Sequence, residues 1–282
     1  MAFLKEAEPD RGKAHKVADG VLRLVARNGG IMTYYGTNTY LIEAEGGFLV
    51  LDPGPVTDPV HVGDIMRATG GRISGVILSH GHTDHIGALE ELCVRAGAPS
   101  YAFHTPIVEG FVPDVKLNDG DTVAGMTALH TPGHAADHLC YAREDGLVFT
   151  GDHVMTWSSS IVSPPGGVMR QFIASLQLMV DRNDPLYLPG HGPAMSNPRD
   201  YVQDLMQRRI DREEAIYRAV QRRPLSPGQL SRTLYSKVDP FLQMAAERNV
   251  LAHLAKLEDE GRVIQKDEVW TALPERQGVS MV

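Results

Sequence analysis

The run Ser79-His80-Gly81-His82-Thr83-Asp84-His85 places three histidines and an aspartate within six positions, directly after the apolar stretch Ile73 to Leu78. Imidazole nitrogens and carboxylate oxygens are the usual donors to a divalent cation where thiolates are few. Here the only thiols are Cys93 and Cys140. Taken alone, the run also reads as a His-rich polar turn. Three further segments bear on the choice: Thr131-Pro132-Gly133-His134, Thr150-Gly151-Asp152-His153 and Leu188-Pro189-Gly190-His191-Gly192 each end a strand-like stretch in a turn. Each adds a metal-capable side chain. Loops at one edge of a sheet bring distant residues to one point, and glycine lets the backbone pass close to an ion. His80, His82, Asp84, His85, His134, Asp152 and His191 then make seven ligands. Seven suffice for two divalent ions: three histidines for one, an aspartate and two histidines for the other, and a carboxylate shared between them.

The elements that must hold these loops are legible. Short runs rich in Val, Ile, Leu and Tyr, bounded by Gly-Gly or Asp-Pro-Gly, predict strands over 20–26, 36–43, 48–52, 73–78, 101–104, 122–124, 127–130, 138–143, 147–150 and 186–188. Helical spacing falls at 60–69, 86–96 and 168–180. Two strand-rich halves, each with helices, predict two packed sheets with helices outside, a layered α/β arrangement. A change to a long charged amphipathic stretch after Pro198 suggests three parts: an N-terminal extension 1–16, a catalytic domain 17–198 and a C-terminal unit 199–282. Within that unit, Ser226-Pro227-Gly228 starts one helix, 240–260 gives another with Leu242, Ala245, Ala246, Val250, Leu251, Leu254 and Leu257 at helical spacing, and Gly261 leads into two short strands. That order is winged-helix-like. Residues 200–282 carry 13 basic and 13 acidic side chains, so no basic stripe supports duplex binding, and the unit reads as a stabilising or homodimer-forming appendage.

Composition sets broad limits. The chain has 282 residues, 43% hydrophobic and 22% charged, with a formal charge of −8, the profile of a soluble globular protein without a generally basic, nucleic-acid-coating surface. Met1 to Lys16 has no apolar core, which predicts neither secretory signal nor membrane span and hence a cytoplasmic protein. Two cysteines are too few for a disulfide framework and read as buried reduced thiols.

His-Gly-His-Thr-Asp-His, Thr-Pro-Gly-His, Thr-Gly-Asp-His and Pro-Gly-His-Gly, in this order, resemble the metallo-β-lactamase fold superfamily from about Val17 to His191. The resemblance implies an αββα four-layer sandwich. It places His80, His82 and His134 on one metal, Asp84, His85 and His191 on the other, and Asp152 between them. It also implies a loop-holding role for Asp52 beside the ligands. Gly36-Thr37-Asn38-Thr39-Tyr40-Leu41 and Asn249 to Leu257 further resemble the β-lactamase-like-protein-2 branch, which carries a winged-helix-like tail.

Two Lewis-acidic ions bring the pKa of a shared water toward neutrality, so the nucleophile is expected to be solvent. Asp84 is the expected catalytic residue, holding that hydroxide and passing on its proton. No Gly-x-Ser-x-Gly elbow supports a serine hydrolase. The diiron flavoprotein relatives typically carry Glu at the position of His82, and an imidazole-rich set suits zinc, with two ions per chain; iron or manganese remain alternatives. The expected substrate is a small-molecule ester, thioester or lactone. The alternatives are single-stranded-RNA cleavage, as the branch resemblance implies, and an iron-dependent persulfide dioxygenase. True β-lactamases of the B1 or B2 class typically have Cys at the position of Asp152, which demotes antibiotic hydrolysis. Residues 157–170 and 29–35 are the expected pocket walls, with Tyr34, Tyr35 and Trp157 as candidate substrate contacts. His153 is placed at the pocket rim, and His138 beside Asp137 as a residue that could orient a ligand. His104 and His130 stand outside the Gly-flanked turns and are left out.

Overall fold

A computed structural model describes residues 2–236 and 239–274. Met1, residues 237–238 and the end of the expected C-terminal unit, 275–282, lie outside the described residues. The first sheet opens with antiparallel strands β1 (His15–Ala18), β2 (Val21–Val25), β3 (Asn38–Ala44) and β4 (Gly47–Leu51). Helix α1 (His61–Thr69) crosses to β5 (Ile73–Ile77), and α2 (Thr83–Ile86) and α3 (Leu89–Ala96) lead on to β6 (Ser100–Phe103) and β7 (Val115–Leu117), each new strand adding in parallel. The result is one sheet of seven strands in sequence order. A second, six-stranded sheet contains β8 (Thr122–Val123), β9 (Met126–His130), β10 (Leu139–Arg143) and β11 (Leu147–Gly151). After α4 (Met169–Arg182), β12 (Leu186–Pro189) returns parallel to β11, and β13 (Met195–Ser196) closes the edge.

Alternation along the strands sorts side chains into layers, because successive residues point to opposite faces. Leu49 and Leu51 of β4 join Tyr40, Ile42 and Ile77 against Met126, Tyr141 and Phe149 of the facing sheet. Val50, between them, turns outward with Leu24 and Leu41 to meet Val62, Ile65 and Leu92 beneath α1 and α3. Cys140 and Val148 do the same on the second sheet, under Phe172, Leu176 and Met179 of α4. Both faces of each sheet are dry, which is why these strands read as near-continuous apolar runs. The four layers are α, β, β, α.

Helix α5 (Arg199–Arg222) is shared between two cores. Val202 and Leu205 pack on the sandwich with α4, while Ile216 and Val220 join a separate core with α6 (Pro227–Leu234), α7 (Gln243–Asp259), β14 (Val263–Lys266) and β15 (Val269–Ala272). Its buried members include Leu230, Val250, Leu254, Leu257 and Trp270. Ser226 caps α6 in a reciprocal box with Gln229, satisfying two backbone donors that the helix start would leave open. Among the described residues no helix is long and apolar enough to cross a membrane.

The structure differs locally from expectation. The helix expected over 86–96 is two, α2 and α3, separated at Gly87 and Ala88. A Cβ on Gly87 would stand 2.5 Å from the Thr83 carbonyl oxygen and 2.6 Å from the Val56 nitrogen, so the chain turns at that close approach. The helix expected from residue 240 opens instead with a 3-10 turn at Pro240–Leu242. Strands β1, β7 and β13 were not expected; β7 and β13 are three and two residues long, too short for a periodic signal, and β1 takes His15 and Lys16 of the expected N-terminal extension into the first sheet.

Candidate metal centre

The loops after β5, β9, β11 and β12 bring the expected ligands to one point. His80 Nε2 and His134 Nε2 lie 2.9 Å and 3.0 Å from His82 Nδ1. His191 Nε2 lies 3.2 Å from Asp84 Oδ2, and His85 Nε2 3.7 Å from the same oxygen. Asp152 sits between the two groups, with Oδ1 3.5 Å from His85 Nε2 and 3.6 Å from His191 Nε2, and Oδ2 3.7 Å from His134 Nε2. In three sets, His80/His82/His134, His80/His85/Asp152 and Asp84/His85/His191, the donor atoms lie within 4.8 Å of one another.

Close approach of backbone and side chains explains two of the glycines. A Cβ on Gly190 would meet Asp152 Oδ1 at 2.6 Å and His85 Cε1 at 2.9 Å. Gly151, at a φ of 47°, would carry its Cβ 2.6 Å from His138 Nε2. A side chain at Gly190 would displace Asp152 or His85, and one at Gly151 would displace His138 or Ser79, whose hydroxyl holds His80.

The outward nitrogens are held, which fixes what the inward ones offer. Ser79 Oγ donates to Asp52 Oδ2 at 2.7 Å and so receives the His80 Nδ1 proton at 2.9 Å, leaving the Nε2 lone pair facing the site. His85 Nδ1 donates to Asp52 Oδ2 at 2.8 Å, His134 Nδ1 to the Ile161 carbonyl at 2.7 Å, and His191 Nδ1 to the Gly36 carbonyl at 3.1 Å. Asp52, 1% exposed and in the left-handed region, also accepts the Ser79 backbone N–H at 2.7 Å. It thus holds His85 directly and His80 through Ser79.

Charge divides the cluster. Burial, reinforced by neighbouring imidazoles, pushes His82 down to about 4 and His80 well below its usual range, so both present neutral nitrogens. Burial opposes a charge on His85 too, but Asp84, Asp52 and Asp152 outweigh it and hold its pKa well above normal. His191 is raised as well, with Asp152 and Asp84 overcoming burial. Asp84, despite burial, is drawn down to about 2 by His85 and His191, and Asp152 is held well below the carboxylate range. The second group therefore gathers positive charge between carboxylates, where a bound cation would replace protons.

The residues fit metal ions on an observation of their own. His85 Nε2 and Asp152 Oδ1 are buried without a hydrogen-bond partner. Leaving such groups unanswered costs about 1–3 kcal/mol each, and both atoms point into the cluster where an ion would satisfy them.

Residues 32–191 match the metallo-beta-lactamase superfamily, and residues 226–270 the beta-lactamase associated winged helix domain. The chain belongs to the metallo-β-lactamase superfamily. It is 27% identical over 275 residues to a beta-lactamase-like protein 2 homolog of Drosophila melanogaster, covering 88% of this chain and 91% of that protein. It is 32% identical to a thioesterase, pkgB, of Emericella nidulans over 74% of this chain and 60% of the relative. The fold superposes on a beta-lactamase domain protein from Burkholderia ambifaria with a TM-score of 0.82 at 21% identity, over 95% of this chain and 96% of that one. The chain is a metal-dependent hydrolase of this superfamily with a C-terminal winged-helix domain.

In this superfamily member the cluster floors a cavity of ≈ 360 Å³, walled by Met32, Ile107, Ile161 and Gly167. Trp157 lies outside that cavity and lines a neighbouring one of ≈ 460 Å³, and Met32 and Ile161 border both. Tyr34 and Tyr35 line neither. They stack instead, Tyr34 on Tyr35 at 4.3 Å and on Trp157 at 5.1 Å, with the Tyr34 hydroxyl accepting the Glu6 N–H at 3.1 Å. Met32, from the same loop, carried no chemical signal in the sequence. His153 is fully buried against Phe172, not at the rim. His138 acts on backbone rather than on a ligand histidine: its Nε2 accepts the Asp152 N–H at 3.1 Å while Nδ1 faces Thr131 Oγ1 at 2.9 Å. Asp137 is buried, accepting the Ile107 N–H at 3.1 Å, and burial raises its pKa. His130 stacks on Phe103 at 4.2 Å, away from the cluster.

The C-terminal unit reaches this cavity. Asn249 Oδ1 on α7 accepts the Val162 N–H at 3.0 Å, and Arg248 donates to Ser163 Oγ at 2.8 Å and to the Pro164 carbonyl at 2.7 Å. These bonds hold the loop whose Ile161, Ser163, Gly166 and Gly167 wall the metal site.

Proposed function

We propose that this hydrolase cleaves a small-molecule thioester, ester or lactone, with two divalent ions, zinc by preference, held by His80, His82 and His134 and by Asp84, His85 and His191, with Asp152 shared. The observation that carries the reading is the pairing of two donor groups across one buried carboxylate at the floor of a ≈ 360 Å³ cavity. That volume suits a small substrate. Two ions held there would supply Lewis acidity to a carbonyl oxygen and bring a shared water toward ionisation near neutral pH. Asp84, ionised and with its side chain 28% exposed, accepts a proton from water at the cavity side and releases it to the leaving thiolate or alkoxide. Asp152 and Asp84 would offset part of the ions' charge, which neutral histidines alone would leave unbalanced. Ile107 and Ile161 limit bulk water over the reacting bond.

The thioesterase name of the 32% identical relative supports the thioester among these substrates. RNA is disfavoured on charge: among the described residues lining the metal-site cavity none is Lys or Arg, so no cation there meets the phosphates on either side of a scissile bond. Imidazole-rich donors favour zinc over harder cations.

The test combines elemental analysis with a thioester, ester and lactone panel and a labelled single-stranded RNA. Zinc at two per chain, turnover of the panel and its loss in His82→Ala are expected. Turnover of RNA alone would overturn the substrate class. Iron with oxygen consumption on a thiol persulfide would overturn the hydrolytic reading of the site.

A further inference from the structure

The ≈ 460 Å³ cavity lies between the sandwich and the C-terminal unit. Its wall is apolar, with Met155, Trp157 and Ile161 from the sandwich and Leu242 and Ala246 from the tail. Phe3, Ile31 and Met32 at its border are nearly half exposed, an apolar lip that water covers at a cost. Met32 and Ile161 border both this cavity and the metal-site cavity, so the two lie side by side.

Charge at this wall is one-sided. Arg209 is 7% exposed, donates to Asn249 Oδ1 at 3.0 Å, to Ser159 Oγ at 2.7 Å and to the Ser160 carbonyl, and pairs with no carboxylate among the described residues. Arg212, one turn on, donates to the Leu234 carbonyl and lies 4.0 Å over the Tyr235 ring, again with no carboxylate partner among them. Glu213, beside them on α5, is occupied by His253 at 3.1 Å and by Lys256. Trp157 Nε1 adds a buried donor without a hydrogen-bond partner on the same wall. Arg209 is buried with neutral acceptors and with the Phe172 ring at 5.2 Å but no countercharge, and Arg212 is half-buried, so an anion at this wall would supply the charge that neutral partners do not.

We propose that this second cavity is a substrate subsite for an apolar arm ending in an anionic group, a carboxylate or a phosphate, which places the scissile carbonyl beyond Met32 and Ile161 over the metal centre. The anionic end lies toward Arg209 and Arg212, and the apolar segment against Trp157 and Leu242. The C-terminal unit thereby selects the substrate. The subsite rests on the reading of the metal centre as a small-molecule esterase, and binding is measured apart from turnover so that the two fail separately.

Trp157 is a built-in reporter, because the second tryptophan, Trp270, is buried in the tail core. In metal-loaded full-length Trp270→Phe protein, octanoate, octyl phosphate, octanol and inorganic phosphate are titrated against Trp157 emission. Octanoate or octyl phosphate is expected to bind saturably with a Kd about tenfold or more below that of octanol, and inorganic phosphate to leave the emission unchanged. Which of the two anions binds more tightly identifies the terminal group. Arg212→Gln is expected to raise the Kd of the anions about tenfold while leaving octanol unchanged. Arg212→Lys is expected to recover part of the loss, and Ala246→Phe to weaken all three amphiphiles by filling the cavity. Equal binding of octanol and the anions, anion binding indifferent to Arg212, or no saturable signal would overturn the subsite. Anion-selective binding in a protein that turns over no ester or thioester would leave the subsite standing and remove the proposed reaction.

Discussion

The metal-site floor and the wall above it are built on different principles. At the floor, each outward nitrogen of His80, His85, His134 and His191 has a partner on the sandwich itself, Ser79 Oγ, Asp52 Oδ2, the Ile161 carbonyl and the Gly36 carbonyl. The wall between residues 157 and 167 is held largely from outside the sandwich, by Asn249 and Arg248 of α7 and Arg209 of α5. A floor fixed by its own sheet ends keeps donors within fractions of an ångström, which metal binding demands. The two meet at residues 160 and 161, where Ser160 Oγ donates to the Asp152 carbonyl and the Ile161 carbonyl accepts from His134, so only the part of the wall beyond Ile161 can change with the appended unit without touching a donor. Reaction chemistry and substrate choice are thus separable at His80, His85 and His191, and coupled at His134 and Asp152.

The largest expected effect breaks the floor alone. Asp152→Ala should lower turnover about a thousandfold or more and reduce bound metal, while the circular dichroism spectrum stays native; retained activity at unchanged metal content would merge floor and wall into one function. Next is acid. His61 donates from Nε2 to Thr39 Oγ1 at 2.8 Å, and Thr39 in turn donates to the Asp52 carbonyl, so this imidazole supports the floor from behind. Burial depresses its pKa to about 4, whereas the unfolded chain takes up the proton near about 6.5. Between those values the unfolded state binds more protons, so stability is complete above about pH 6.5 and is lost as pH falls toward about 4, by up to about 3 kcal/mol. Denaturant melts of His61→Gln, whose amide can keep the Thr39 bond, should show a shallower acid limb than the wild type; an identical limb would remove His61 as its source.

Asp52→Asn is expected to be milder, because it keeps the shape while losing the charge shared by Ser79 and His85. Metal affinity should fall about 10- to 100-fold by competitive chelation, with the fold intact. The smallest effect is expected at the wall. Arg248→Ala removes two exposed hydrogen bonds to the loop, and should raise KM a few-fold with thermal stability changed by about 0.5 kcal/mol or less, at unchanged metal content. A loss of metal in that variant would show that the wall also builds the floor.

What could be read before folding was local. His80 to His85 announced itself by composition, and Gly133, Gly151 and Gly190 by their place just before a donor. The alternation that puts Leu49 and Leu51 on one face and Val50 on the other is a two-residue pattern, equally visible in a string of letters. Helix α6 was marked by Ser226 and Pro227. The break at Gly87 was hidden, because the chain there is constrained by Val56, remote in sequence. His153 read as a rim residue because polarity suggests exposure, and only the packing against Phe172 buried it. Tyr34 and Tyr35 carried aromatic promise but spend it on each other and on Trp157, while unremarkable Met32 and Ile161 border both cavities.

Sequence by itself determined which groups could bind metal, the strands that deliver them and the family to which the chain belongs, because residue type and short-range spacing carry that information. Tertiary structure alone decided that Arg209, Asn249 and Ile161 meet across the two cores, since 40 residues separate Arg209 from Asn249 and no periodicity spans such a gap. Burial then gives those contacts their weight: a cation and a tryptophan N–H left without countercharge or partner mean little on a chain of letters, and become a physical demand only when folding removes the water.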